Sequence, residues 1–153
     1  MTTSENGIKM IKGFENEPLL TVPGYIAHVY NDNGAPAIAY GHRLLPGESF
    51  LDGVDESGGD ALLRNDLRTR FEGMVNSYIP ESITPTQGQF DALVSFVYNI
   101  QNQPASLIEM LAHGWDEVPN QLPRWCHETV DGVKKVNDGL LARRQAEAEM
   151  WNS

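Results

Sequence analysis

Apolar residues near the start of the chain recur at helical spacing, with Ile8, Ile11 and Phe14 on one stripe and Ser4 placed to cap it. This predicts a first helix of roughly three turns that ends near Glu15. The next stretch, NEPLLTVPG from Asn16 to Gly24, holds two prolines and reads as an irregular loop. Two β-type runs follow, YIAHVY and PAIAYGH, so that Tyr25 to His42 reads as a hairpin. Between them stands Asn33-Gly34, the strongest short hairpin signal, because both turn positions need φ > 0. Arg43 to Gly59 is rich in glycine and reads as loop, and from Asp60 onward every pattern is helical. Ala61, Leu62, Leu63, Leu67 and Phe71 mark one helix, weakening at Gly73 and stopping by Pro80.

Thr84-Pro85-Thr86-Gln87 is a start signal, with Thr84 at the cap, Pro85 at the first helical position and Gln87 three residues after the cap. The helix behind it, QFDALVSFVYNI, is apolar round most of its circumference, the pattern of a central buried helix. Shorter helices are expected around Leu107 to Leu111 and Trp115 to Leu122, then a loop or short hairpin from Val130 to Asn137. Asp138 can cap the last helix, GLLARRQAEAEMW. The expected fold is α+β, mostly α, in a single domain over residues 1–153. A small hairpin lobe would span about 16–59, and a helical lobe 1–15 plus 60–153.

Composition changes this picture at three points. The formal net charge of -10 works against a polyanion-binding surface and excludes nucleic acid as the expected partner. Cys126 stands alone, so no intramolecular disulfide forms and no cysteine-based zinc site can be assembled. Cys126-His127 has the look of a metal pair, yet no third ligand has recognisable spacing, so neither metal nor cofactor is expected. The opening MTTSENGIK is polar and has no apolar run of signal-peptide type, which predicts synthesis in a cytoplasm. The candidate chemistry is a carboxylate pair: Glu15 hangs off a helix end and Asp32 sits beside a tight hairpin turn. Two carboxyls fixed across a cleft are the skeleton of a glycosidase site.

MIKGFE, the hairpin leading into AYGH, LLPGE just after it, TQGQFDALVSFVYNI, PRW and GLLARRQAEAEMW occur in this order along the whole chain. The ordered set resembles the phage-type lysozymes (endolysins), muramidases of glycoside hydrolase family 24. The resemblance implies a lysozyme-like two-lobed fold with peptidoglycan glycan strands between the lobes. The reaction it implies is hydrolysis of the β-1,4 bond between N-acetylmuramic acid and N-acetylglucosamine.

The family's glutamate falls on Glu15, whose role as general acid asks for an apolar surround that Phe14 and the neighbouring core could supply. The family's aspartate falls on Asn31 when counted back from AYGH without a gap, and on Asp32 when the turn is one residue shorter. Asp32 is favoured, because a two-residue Asn-Gly turn accounts for the missing residue, although an aspartate beside a turn often serves only the turn. The family's threonine falls on Ala37, which can neither hydrogen-bond nor position a water. His42 reads as structural, with a family-implied place near the glutamate, and Asn99 as a backbone or saccharide contact. At least one of Arg143 and Arg144 is expected to pair with a neighbouring acid such as Glu147, and Trp115, Trp125 and Trp151 are expected in the core, with a sugar stack at one of them as the alternative.

The expectation is thus a phage or prophage endolysin, made in the host cytoplasm, acting on the cell wall after a holin or other export machinery gives access, and working as a monomer. A second reading is a catalytically weak or inactive lysozyme fold used as a peptidoglycan-binding or protein-interaction module. A third is a tail-associated or delivered antibacterial lysozyme with the same chemistry.

Overall fold

Ser4 starts the first helix, its Oγ accepting from the Gly7 N–H at 3.2 Å, and α1 runs over Glu5–Thr21. The computed structural model describes residues 1–101 and 104–153. Within α1, Asn16 leaves helical geometry (φ −161°, ψ 79°), so the first helical stretch ends at Glu15 as expected. Asn16 then caps a second short stretch, its Oδ1 accepting from Leu19 N–H at 3.4 Å, and Pro18 fits because a first turn needs no N–H. The segment expected to be irregular is therefore helical as far as Thr21. Burial of Leu19, 1% exposed, fixes it there.

The chain divides into two compact units, Ile8–Thr69 and Met1–Gly7 with Arg70–Ser153. In the first, strands β1 (Tyr30–Asp32), β2 (Ala35–Ile38) and β3 (His42–Arg43) form an antiparallel sheet in that order. Asn33 (φ 52°) and Gly34 (φ 89°) make the two-residue turn, with Asp32 facing Ala35 across it. The first β-type run is shorter than its sequence suggests. Of Tyr25 to Val29, only Ala27 pairs, in a single bridge to Val54.

Helix α2 (Glu56–Asp66) begins earlier than expected, capped by Asp55, and it runs straight through Gly58 and Gly59. Glycine disfavours a helix locally, but here it lets the backbone approach its neighbours. A Cβ on Gly59 would lie 2.9 Å from Leu19 Cδ2 and 3.2 Å from Ala39 Cβ. A π-helical stretch, Leu67–Phe71, joins α2 to α3 (Glu72–Tyr78) and carries the chain from one unit to the other. Buried residues of the first unit include Ile11, Leu19, Ile38, Tyr40, Leu63 and Leu67. Phe14 is not among them at 39% exposed, a correction to the expected stripe, which the helix break two residues later cuts short.

In the second unit, α4 (Gln87–Asn99) is the buried centre, with every residue from Phe90 to Tyr98 out of water. Its cap is Thr86 rather than Thr84, in a reciprocal capping box with Gln89. Gln87 does not fold back on the chain before it, because its amide donates to Thr2 O at 2.9 Å and Asp91 Oδ1 at 2.8 Å. Then come α5 (Pro104–Leu111), a run of short helical turns over 115–124 that includes α6 (Val118–Gln121), and hairpin β4 (His127–Val130) with β5 (Val133–Val136). Helix α7 (Asp138–Trp151) is capped by Asn137, one residue before the expected Asp138. It crosses α4 closely at Gly88, where a Cβ would meet Met150 O at 2.3 Å. Its Arg143 and Arg144 pair inward with Glu147, which is fully buried and accepts from Ser95 Oγ at 2.7 Å. No helix among the described residues is long and apolar enough to cross a membrane.

Candidate active site

The site lies in the unit Ile8–Thr69, where the end of α1's first stretch and one face of the sheet supply its groups. Glu15 occupies the last helical position before Asn16, and the backbone turns there because Asn16 is tied at both ends. Its Nδ2 donates to Ala39 O at 3.1 Å while its Oδ1 caps the next turn. Ala39 carries φ 59°, a left-handed conformation that costs an alanine energy and aims that carbonyl at Asn16. Three residues before Glu15, buried Lys12 clamps α1 onto α2, with Nζ 2.7 Å from both Glu56 Oε1 and Asp60 Oδ1. Burial opposes the Lys12 charge, but the hydrogen bonds to Asp60 and Glu56 outweigh it and raise its pKa. Tyr40 donates to the other Glu56 oxygen, closing the cluster.

On the sheet, side chains alternate between faces. Tyr30, Ala37 and Arg43 form one row across β1, β2 and β3, and Asp32 shares their face two residues along from Tyr30. Arg43 Nη2 reaches Asp32 Oδ2 at 3.1 Å, and both side chains are partly exposed. The Tyr30 hydroxyl joins the two carboxylates electrostatically. Burial pushes its pKa up first, the charges of Glu15 and then Asp32 add to the rise, and Arg43 partly offsets them. One phenol therefore feels a carboxylate from the helix end and another from the hairpin.

The remaining sequence-derived candidates divide clearly. Asn31 serves the turn, its Oδ1 accepting from Gly34 N–H at 2.6 Å. Ala37 lies at 0% exposure in the middle of the row. His42 pairs with Ile38 on the opposite face and is buried, its Nδ1 2.7 Å from Asp66 Oδ2 and its Nε2 2.9 Å from Glu48 Oε1. Burial works against protonation of His42, but its hydrogen bonds to Asp66 and Glu48 prevail and raise its pKa. Asn99 belongs to the other unit, where its Oδ1 accepts from Arg144 Nη2 at 2.8 Å. Sequence reasoning missed Asn16, Lys12, Tyr30 and Arg43. Only the sheet register places the last two beside Asp32, although Asn16 directly after the helix-end glutamate was a readable breaker.

The chain as a whole is similar to known proteins. A family described as phage lysozyme matches residues 21–147. The endolysin of Bacillus phage PZA is 33% identical over the whole chain, and the chain spans 56% of that protein's length. An endolysin from Acyrthosiphon pisum secondary endosymbiont phage 1 is 27% identical, with all of this chain and 99% of that one aligned. The solved endolysin of Escherichia coli O157:H7 phage FAHEc1 superposes with a TM-score of 0.78 at 28% identity, covering 99% of this chain and 93% of that one. The chain belongs to the phage lysozyme family.

Proposed function

We propose that the chain is a muramidase, hydrolysing the β-1,4 bond between N-acetylmuramic acid and N-acetylglucosamine in peptidoglycan as a phage or prophage endolysin. The observation that carries this reading is the placing of Glu15 at the end of a helical stretch and of Asp32 at the hairpin turn, in a chain that belongs to the phage lysozyme family. Glu15 acts as general acid on the glycosidic oxygen, at a helix end whose position the Asn16 ties and the Lys12 clamp fix. Asp32 acts from the other side of the sugar, as base toward water or as the charge that stabilises the oxocarbenium-like transition state. With a water between the two carboxyls, the anomeric centre inverts. Recognition of the wall is local, since the net charge of -10 opposes general adhesion to an anionic envelope. The protein works as a monomer, is made in the host cytoplasm, and reaches the wall through a holin or another export route.

Ala37, standing where the family carries threonine, favours a second reading in which a weakened catalyst serves as a peptidoglycan-binding or protein-interaction module. Mass spectrometry of digested, purified peptidoglycan separates the two. Muropeptides with reducing N-acetylmuramic acid ends are expected. Intact glycan that still retains the protein would establish the binding module, and 1,6-anhydro ends would mean a transglycosylase.

A further inference from the structure

The middle strand of the sheet carries its smallest side chain at the point where the outer strands carry their longest. Ala37 faces Tyr30 on one side and Arg43 on the other, in register, and is fully buried. A branched residue at 37 would stand between β1 and β3 on this face. With only a methyl group there, the Arg43 guanidinium crosses β2 and donates to Asp32 Oδ2 on the far strand. Asp32 ends β1 at the hairpin turn with its side chain 39% exposed, a place where a lone carboxylate would sample several rotamers. A planar guanidinium with directed donors restricts that choice.

We propose that Arg43 is a positioning residue for Asp32, and that Ala37 and Arg43 together replace the threonine that the family carries at this place in the sheet. The inference rests on the muramidase reading of Glu15 and Asp32. The pair is too exposed to be a stability device, so its removal leaves the fold intact and isolates the effect on catalysis. Tyr30 completes the row and feels both partners of the pair, so the geometry of the whole face depends on where the guanidinium lies.

The experiment measures kcat and KM on purified peptidoglycan for wild type, Arg43→Ala, Arg43→Lys, Ala37→Thr and the double variant Ala37→Thr/Arg43→Ala, with a thermal melt of each. Arg43→Ala should lose about tenfold in kcat with little change in KM and an unchanged melt. Arg43→Lys should recover part of the loss, as a point charge without the fork. Ala37→Thr should lower kcat in the wild-type background by blocking the guanidinium's path, and raise it in the Arg43→Ala background by supplying a polar group of its own. That reversal of sign is what a merely structural arginine would not produce. Wild-type kcat in Arg43→Ala, a change confined to KM, or the same effect of Ala37→Thr in both backgrounds overturns the inference while leaving the muramidase intact. No turnover in any of the proteins, wild type included, overturns the muramidase reading and this inference with it.

Discussion

Replacing Asn16 with alanine tests how the helix end that carries Glu15 is held. The Asn16 side chain makes two bonds of different kinds, a capping bond from Leu19 N–H at 3.4 Å and a donation to Ala39 O at 3.1 Å. Loss of the cap costs about 0.5–2 kcal/mol, the lower half applying to a contact this long. Loss of the donor leaves a carbonyl of a buried residue short of a partner, for about 1 kcal/mol more. The sum is about 2 kcal/mol, or roughly 4–8 °C in melting temperature for a chain of this size. Alanine would also prefer to continue the helix, carrying Glu15 away from its place, so kcat should fall by about tenfold or more even after the stability loss is allowed for. Asn16→Ser keeps a capping oxygen but no donor to Ala39, and should fall between wild type and alanine on both scales. Denaturant melts and peptidoglycan turnover on the three proteins decide it. A melt within about 0.5 kcal/mol of wild type, with full activity in Asn16→Ala, would refute the claim that Asn16 sets the helix end.

Other consequences are as direct. Gly59→Ala places a Cβ 2.9 Å from Leu19 Cδ2 and 3.3 Å from Tyr40 Cε2, costing about 1–3 kcal/mol against about 1 kcal/mol gained in helix propensity. Gly13→Ala, with nothing within 4 Å of the new Cβ, should instead stabilise by about 0.5–1 kcal/mol, so that in chemical melts it stands above both wild type and Gly59→Ala. Glu147→Ala leaves Arg143 and Arg144 buried without their carboxylate and should cost about 3–5 kcal/mol in the same assay. Because the His42 pKa is raised, its stabilisation is complete below its unfolded value of about 6.5 and is lost as pH climbs through the higher folded value. The stability advantage of wild type over His42→Gln should therefore shrink as pH rises above about 6.5, and a constant difference would contradict the charged bridge. Glu48, lowered first by the Leu45 N–H and then by His42, works with the opposite sign, its contribution fading as acid protonates it below the usual carboxylate range.

What could be read from the sequence were features decided within a few residues. The Asn33-Gly34 turn, the Ser4 cap, the buried α4 and the helix end at Glu15 all depend on local backbone preference and on one period of hydrophobicity. What escaped depends on distant partners. Gly58 and Gly59 read as loop, yet they are helical because Leu19, Ala39 and Tyr40 crowd against that turn. Thr84 was expected to cap α4, yet the cap is Thr86, and Gln87 is drawn instead to Thr2 and Asp91. Arg43 follows His42 in sequence and gave no sign of chemistry. Its relation to Asp32 appears only when three strands are laid in register.

Release of reducing ends from purified, O-acetyl-free peptidoglycan by wild type and Glu15→Gln tests the central claim most directly. A general acid at Glu15 predicts clear turnover in the wild type and a loss of at least about a hundredfold in the variant, with the same melting temperature. Turnover undiminished in Glu15→Gln would show that another group donates the proton.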